Sequence, residues 1–299
     1  MVYLTEFTLP SQGEQALALE KAKKKRTCYN NSYPFGLFAT WEQEILCFEP
    51  ITILYGGNGS GKTTLLQLIA ECLELPRHSP HNRTPFFSVY AQNCRYRLAQ
   101  KLPPDSAVLT SDDVFDDLLN LRSLNQGIDL AREELLREYR DLREGGFQLQ
   151  SLEDYDQLKK VIAAKRKHSS GSDYVRRELG GNVRGRSNGE TAFRYFTDRL
   201  QQPGLYLLDE PENSLSARHQ QELADFLTDS ARFFGCQLIL STHSPFLLAM
   251  KGAAVYDLTE QPIQQRAWTQ LTMVRQYYDF FCAHSREFAR ADPEDGEDA

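Results

Sequence analysis

Long apolar runs are missing from this chain of 299 residues. No stretch approaches the ~18 apolar residues that a bilayer-spanning helix needs, so membrane insertion is not expected. The start of the chain has an early acid, Glu6, and no basic segment ahead of an apolar core, unlike a secretory signal. Cysteine is sparse and scattered: Cys28, Cys47, Cys72, Cys94, Cys236 and Cys282 form no CxxC pair, which argues against a zinc knuckle or a disulfide framework. These absences predict a cytoplasmic protein with reduced thiols buried as small apolar groups. No internal repeat is found, and strong charge of one sign is absent from the body. The net charge is −7, but five acids crowd one short stretch: Asp292, Glu294, Asp295, Glu297 and Asp298.

What is present is ordinary globular material, 25% charged and 41% apolar. At ~150 residues per domain the length fits two domains, or one large domain with an insertion. Such a chain buries roughly three quarters of its unfolded surface, so it needs no covalent staple. Residues 1–20 read as a short strand and a Gln/Ala/Leu segment. The basic run Lys21, Lys23, Lys24, Lys25, Arg26 reads as a solvated turn or helix end, with a nucleic-acid contact as the sharper alternative. Ile45–Phe48, Ile51–Tyr55 and Phe86–Tyr90 are short, β-branched or aromatic, and read as strands. Between them, leucines at helical spacing predict a helix from Lys62 to Leu75, stopped by Pro76.

From about 100 to 180 the pattern changes to polar segments with leucines at three- and four-residue steps. Three amphipathic helices are expected: Asp112–Leu124, Leu130–Arg143 and Leu152–Lys167, separated by Gly127 and by Gly145-Gly146. After Gly189 come a helix (Thr191–Leu200), a strand (Leu205–Leu208), a helix (Ala217–Phe234) and strands at Gln237–Ser241 and Ala254–Leu258. Strands alternating with helices predict an α/β fold with a mostly parallel sheet covered on both faces. The expected divisions are 1–92 and 187–262 for the two parts of one core, 93–186 for a helical insertion lobe, and 263–299 for a terminal helix and acidic tail. Tyr277, Tyr278, Phe280 and Phe281 are expected to pack that terminal helix, with a partner surface as the alternative.

Chemistry is concentrated in two motifs. Gly56-Gly57-Asn58-Gly59-Ser60-Gly61-Lys62-Thr63 matches G-x-x-x-x-G-K-[ST] between a predicted strand and a predicted helix, with Thr64 next in line. Glycines let successive backbone N–H groups turn inward around phosphate oxygens, and the helix N-terminus adds positive potential. Lys62 is expected on the β/γ-phosphates and Thr63 on Mg²⁺, a hard cation that takes oxygen ligands. The second motif is the apolar strand ending in Asp209-Glu210. One carboxylate there suits Mg²⁺ or its waters (Asp209), and the next suits a general base on an attacking water (Glu210).

Further segments complete a resemblance. Ser187-Asn188-Gly189-Glu190 resembles a signature S-x-G-[QE]. Glu210-Pro211-Glu212-Asn213-Ser214-Leu215-Ser216 resembles a D-loop segment, Ser241-Thr242-His243-Ser244-Pro245 a switch-histidine loop, and Gln92 a Q-loop glutamine. In this order they resemble the ABC-type ATPase family over about residues 45–95 and 185–258. The signature is not led by leucine and the D-loop segment is not of transporter type, which places the resemblance in the non-transporter branch with the chromosome-maintenance and recombination-repair ATPases. Gln92 to Ser187 is too short for long coiled-coil arms, and the chain looks most like compact bacterial "AAA family" ATPases.

The resemblance implies a P-loop NTPase fold and a soluble ATPase using ATP and Mg²⁺. Gln92 would join Mg²⁺ and the water to the helical lobe. His243 would bind the γ-phosphate. Ser187 and Gly189 would act on the nucleotide of a second subunit, giving an ATP-dependent, ATP-sandwiched homodimer. An aromatic ring upstream of the phosphate loop would stack on adenine: Tyr33, Phe35 and Phe38 are the choices, and Phe35 is nominated. Alternatives are a transporter's nucleotide-binding subunit, or a slow nucleotide-gated interaction protein with an unidentified protein partner. Lys159 to Arg186 carries nine Lys/Arg against two acids, which reads as a solvated face or as a nucleic-acid surface.

Overall fold

A computed structural model describes residues 1–25, 28–29, 31–38, 41, 45–80, 83–145, 159–162, 165, 170–179 and 188–291. In chain order its elements are β1 (Leu4–Thr8), α1 (Gln12–Lys25), β2 (Ile45–Cys47), β3 (Ile51–Tyr55), α2 (Lys62–Cys72), α3 (Phe87–Ala91), β4 (Arg95–Leu98), β5 (Ala107–Thr110), α4 (Ser111–Glu144), α5 (Gly171–Glu178), α6 (Asn188–Arg199), β6 (Leu205–Asp209), α7 (Ala217–Phe233), β7 (Gln237–Ser241), α8 (Pro245–Leu248), β8 (Ala254–Asp257), β9 (Gln264–Gln265), α9 (Thr272–Ala283) and α10 (Ser285–Ala291).

The main sheet runs in the order β5-β6-β7-β3-β8-β9. It is parallel from β5 to β8, with β9 antiparallel at the edge. Every residue of β3 and β7 is buried. That is why these strands read as mainly apolar runs, since helices cover both faces of a parallel sheet; the polar residues they do hold, Thr52, Gln237 and Ser241, are buried and hydrogen-bonded. Leu65, Leu66 and Ile69 of α2 are buried in the same core as Leu54, Leu205, Leu207 and Ile239. Each such side chain contributes at most about 1.5–3 kcal/mol of burial, which fixes α2 against the sheet more firmly than helix propensity could.

A second sheet, β2-β1-β4, is antiparallel and was not expected from the sequence. The four residues of β4, Arg-Tyr-Arg-Leu, are mostly exposed and carry no strand signal. Gln237, at the start of β7, joins the two sheets. Its Oε1 accepts the N–H groups of Tyr3 and Leu4, both at 2.8 Å, and its Nε2 donates to Leu4 O at 2.7 Å.

Several expectations are corrected. Phe86–Tyr90 is not a strand: residues 87–91 form α3. Phe86, Phe87, Tyr90 and Ala91 are buried, a three- to four-residue repeat that belongs to a helix, and the Thr84 hydroxyl accepts the N–H of Phe86 at its start. The helices expected on either side of Gly127 are one continuous helix, α4. A Cβ at Gly127 would meet nothing within 4 Å, and an exposed mid-helix glycine costs only about 1 kcal/mol, which a helix of 34 residues absorbs. Most of the helix expected at Leu152–Lys167 lies outside the described residues. Only Cys236 is fully buried; Cys28, Cys47 and Cys282 are exposed. The aromatic residues of α9 do not pack inward either: Tyr277, Tyr278, Phe280 and Phe281 are all exposed.

The chain divides into two compact units, residues 1–114 with 188–299, and residues 115–187. The lobe therefore starts later than 93, because β4 and β5 pair within the first unit. Within the second unit the rings of Tyr139 and Tyr174 pack at 5.6 Å, with Leu135 and Leu142 against them.

Candidate active site

Three neighbouring strand ends, β6, β7 and β3, carry the reactive side chains. Register places Asp209 opposite Ser241, and Ser241 opposite Leu54, so the acidic turn, the histidine loop and the phosphate loop leave the sheet at one level. Ligands of open parallel sheets bind at such carboxyl ends.

The phosphate loop is shaped by its glycines. Gly61 adopts φ +92 as the cap of α2, and a Cβ there would lie 2.8 Å from Phe38. At Gly56 a Cβ would fall 2.4 Å from the Ser60 hydroxyl, whose oxygen is buried without a partner among the described residues. Gly57, Asn58 and Gly59 are exposed, so the rim of the loop is open. Lys62 is 5% exposed; its Nζ donates to Gly56 O at 2.7 Å and to Gly57 O at 3.2 Å, and lies 2.9 Å from His243 Nε2. Burial pulls the Lys62 pKa down, while Glu210, Asp209 and Glu212 pull it back up. Burial and the Lys62 charge lower the His243 pKa, which favours a neutral ring whose Nε2 accepts from the ammonium.

Thr63 Oγ1 donates to Asp209 Oδ1 at 3.0 Å, and Ser241 Oγ donates to the same oxygen at 2.5 Å. Burial raises the Asp209 pKa and these two bonds oppose the rise. Glu210 follows in the left-handed region, at φ +46. Its N–H donates to Ser241 O at 3.1 Å, its Oε2 accepts from Asn213 Nδ2 at 3.1 Å, and its Oε1 lies 3.5 Å from His243 Nε2. Asp209 is held by Thr63 and Ser241 and Glu210 by Asn213, so the two carboxylates have different partners.

This arrangement fits a triphosphate with Mg²⁺. Lys62 beside a loop of backbone donors suits phosphate, and Thr63 with Asp209 offers two hard oxygens. Among the described residues no cluster of three or more His, Cys, Asp and Glu could cage a metal. Mg²⁺ suits the pair, because it is held by one or two carboxylates together with substrate phosphates and water.

Other expected site residues are placed differently. Thr64 is buried, with its hydroxyl 2.8 Å from Tyr33 Oη. Phe35 packs edge-on against Tyr90 at 5.0 Å, and Phe38 is buried beside Trp41 and Gly61. Of the three rings considered for adenine, Tyr33 is thus hydrogen-bonded to α2 and Phe38 packs on the phosphate loop, while Phe35 belongs to the Tyr90 contact. Gln92 follows α3, exposed, and lines a surface groove with Glu14, Leu17 and Lys21 of α1. Its side chain has no hydrogen bond to Thr63 or Asp209. Gly189 sits in the first turn of α6, where a Cβ would lie 3.1 Å from His219 Nδ1 and 3.5 Å from Ser214 O, so it stands close to α7 and to the turn before it in its own chain. Ser187 lies outside the described residues. Sequence reasoning gave no role to Ser241, Asn213 and Glu212, although all three lie in the segments Glu210–Ser216 and Ser241–Pro245.

No helix among the described residues is long and apolar enough to cross a membrane. No curated protein matches the chain. Solved structures that align with it include the Smc head domain with an extended coiled coil from Pyrococcus furiosus, bound to the C-terminal domain of ScpA. Identity is 13%, covering 96% of this chain and 100% of that one, with a TM-score of 0.44. The SMC head domain from Thermotoga maritima aligns at 11% identity over 85% of this chain and 94% of that one, TM-score 0.35. A putative metal-chelate type ABC transporter in an inward-facing conformation aligns at 17% identity over 78% of each chain, TM-score 0.36. The family model described as "AAA domain, putative AbiEii toxin, Type IV TA system" matches residues 73–249, more than half of the chain and the part that holds Asp209, Glu210 and His243. The chain belongs to that AAA-type P-loop ATPase family.

Proposed function

We propose that the protein is a Mg²⁺-dependent ATPase that closes as an ATP-sandwiched homodimer and uses hydrolysis to reopen it. The observation that carries this reading is the convergence of Lys62, Thr63, Asp209, Glu210 and His243 on three adjacent strand ends.

In this mechanism the backbone N–H groups of 56–61 and the Lys62 ammonium bind the β- and γ-phosphates; Lys62 exchanges its carbonyl partners, Gly56 and Gly57, for phosphate oxygens. Thr63 and Asp209 would hold Mg²⁺, which would supply neutralisation of the phosphate charge. Glu210 accepts a proton from water as the water oxygen bonds to the γ-phosphorus and the bond to the ADP oxygen breaks. Asn213 fixes one oxygen of Glu210, leaving the other toward His243. The neutral His243 ring orients the water and the γ-phosphate.

The dimer rests on the family resemblance together with the position of Gly189, beside Ser214 at the start of α6. In that dimer Ser187 and Gly189 would face the partner's nucleotide. The work comes from tighter binding of ATP than of ADP to the closed state. ATP hydrolysis by the purified chain, with mass measured by light scattering with and without Mg-ATP, tests both halves. Lys62→Ala should abolish ATP binding, and undiminished binding would overturn the phosphate-loop assignment.

Nucleic acid is the client proposed for the basic stretch from Lys159 to Arg186. Within it, Lys160 pairs with Glu138 and Arg176 lies 3.9 Å from Asp173, so part of the charge is matched locally. Binding should weaken steeply with salt and on charge reversal at Lys165, Arg166 and Lys167. Indifference to both removes the nucleic-acid proposal and leaves the ATPase intact.

A further inference from the structure

Among the buried carboxylates that the mechanism above leaves unused, Glu212 is the one bonded to the histidine loop. Glu212 lies two residues past Glu210 and is only 8% exposed. Its Oε1 accepts the backbone N–H of His243 at 2.5 Å and that of Ser244 at 3.2 Å, and the Thr242 side chain hydrogen-bonds to the same carboxyl. Its Oε2 is buried with no partner among the described residues.

For folding alone this is an expensive choice. A buried carboxyl with one unsatisfied oxygen carries a desolvation cost, and a neutral amide oxygen in its place could accept the same two N–H groups at a smaller one. The loop does not depend on it for its helix start either: Ser244 caps α8 through its own hydroxyl, which also donates to Gln220 Oε1 at 2.8 Å. What Glu212 adds is the position of one peptide. Holding the N–H of His243 fixes where its Cα stands, and hence where the ring meets Lys62 at 2.9 Å and Glu210 at 3.5 Å. Glu210 thus faces the ring and Glu212 the backbone of the same histidine.

Building on the ATPase reading, we propose that Glu212 is the positioning residue for His243, tying the histidine loop to the acidic turn so that ring and general base keep one spacing. Glu212→Leu removes the acceptor. Glu212→Gln keeps a carbonyl oxygen in its place, and Glu212→Asp keeps the charge but shortens the reach. Turnover in the full chain should fall roughly ten- to a hundredfold in Glu212→Leu, with ATP affinity within about threefold of wild type. Glu212→Gln should stay within about threefold of wild-type turnover. Glu212→Asp, the variant to use if Glu212→Leu does not fold, should lose turnover with its ATP affinity retained. Because Glu212 acts through His243, Glu212→Leu combined with His243→Ala should turn over no more slowly than His243→Ala alone. Multiplying losses in that pair, or wild-type turnover in Glu212→Leu, would overturn the proposal. A second readout does not depend on activity: the imidazole NMR resonance of His243, identified by its loss in His243→Ala, should move in Glu212→Leu (or Glu212→Asp) and hold in Glu212→Gln. An unmoved resonance sinks the positioning role by itself. Absence of ATP turnover in the wild type sinks the ATPase reading instead.

Discussion

Replacing Glu210 by glutamine separates chemistry from binding at this site. The substitution is nearly isosteric. The Glu210 side chain is 31% exposed, and its bond from Asn213 Nδ2 at 3.1 Å survives with an amide oxygen as acceptor. The backbone demand of φ +46 falls equally on both residues. Stability should therefore change by no more than about 0.5 kcal/mol. What disappears is the basic oxygen near His243. A positioned general base contributes roughly 10²–10⁴-fold, and at about 1.4 kcal/mol per decade the barrier rises by roughly 3–5 kcal/mol. Lys62, Thr63 and Asp209 keep their geometry, so ATP binding persists, and one negative charge fewer faces the triphosphate. With turnover blocked and binding intact, the ATP-bound dimer accumulates. Single-turnover release of γ-phosphate measures the first effect, and light scattering at saturating Mg-ATP measures the second. Loss of less than tenfold in rate would remove Glu210 from the role of base. A variant that stays monomeric under those conditions would refute the sandwich.

Gly61→Ala places a side chain at φ +92 with its Cβ 2.8 Å from Phe38. The left-handed conformation costs about 1–2 kcal/mol and overpacking about 1–3 kcal/mol more, which should appear as a lowered urea midpoint at unchanged slope. Gly57→Ala, where a Cβ meets nothing within 4 Å, is the control and should leave the midpoint nearly in place. The pH dependence of stability carries a sign that can be checked. His243 has a folded pKa below its ordinary value of 6.5, so below that value the unfolded chain binds more protons and the folded state loses stability as pH falls. Asp209 and Glu212, whose pKa values are raised, act in the opposite direction, losing stability as pH rises through the window above 3.8 and 4.5. Melting temperatures of wild type and His243→Gln, followed from pH 7.5 down to 5.5, isolate the histidine: the gap between them should shift against the wild type on acidification, and a constant gap contradicts the assignment.

The sequence by itself determined the parallel core and marked the glycine-rich loop and the acidic strand end as the candidate site. Strands such as Ile51–Tyr55 and Gln237–Ser241 are buried on both faces, so they are mainly apolar and legible. The phosphate loop needs glycine at Gly56 and Gly61 because of its own local backbone, and local demands leave a local pattern. Tertiary structure decided what depended on distant partners. Arg95–Leu98 is a strand because β1 offers it a ladder, and residues 87–91 are a helix because Phe87, Tyr90 and Ala91 share one buried side. Spacing along the chain also could not reveal that Glu212 holds the peptide of His243, 31 residues away, or that Lys62 meets the ring of that histidine at 2.9 Å. Those contacts arise because β7 lies between β3 and β6, and strand order in a sheet is set by how all the strands pack together rather than by any one of them.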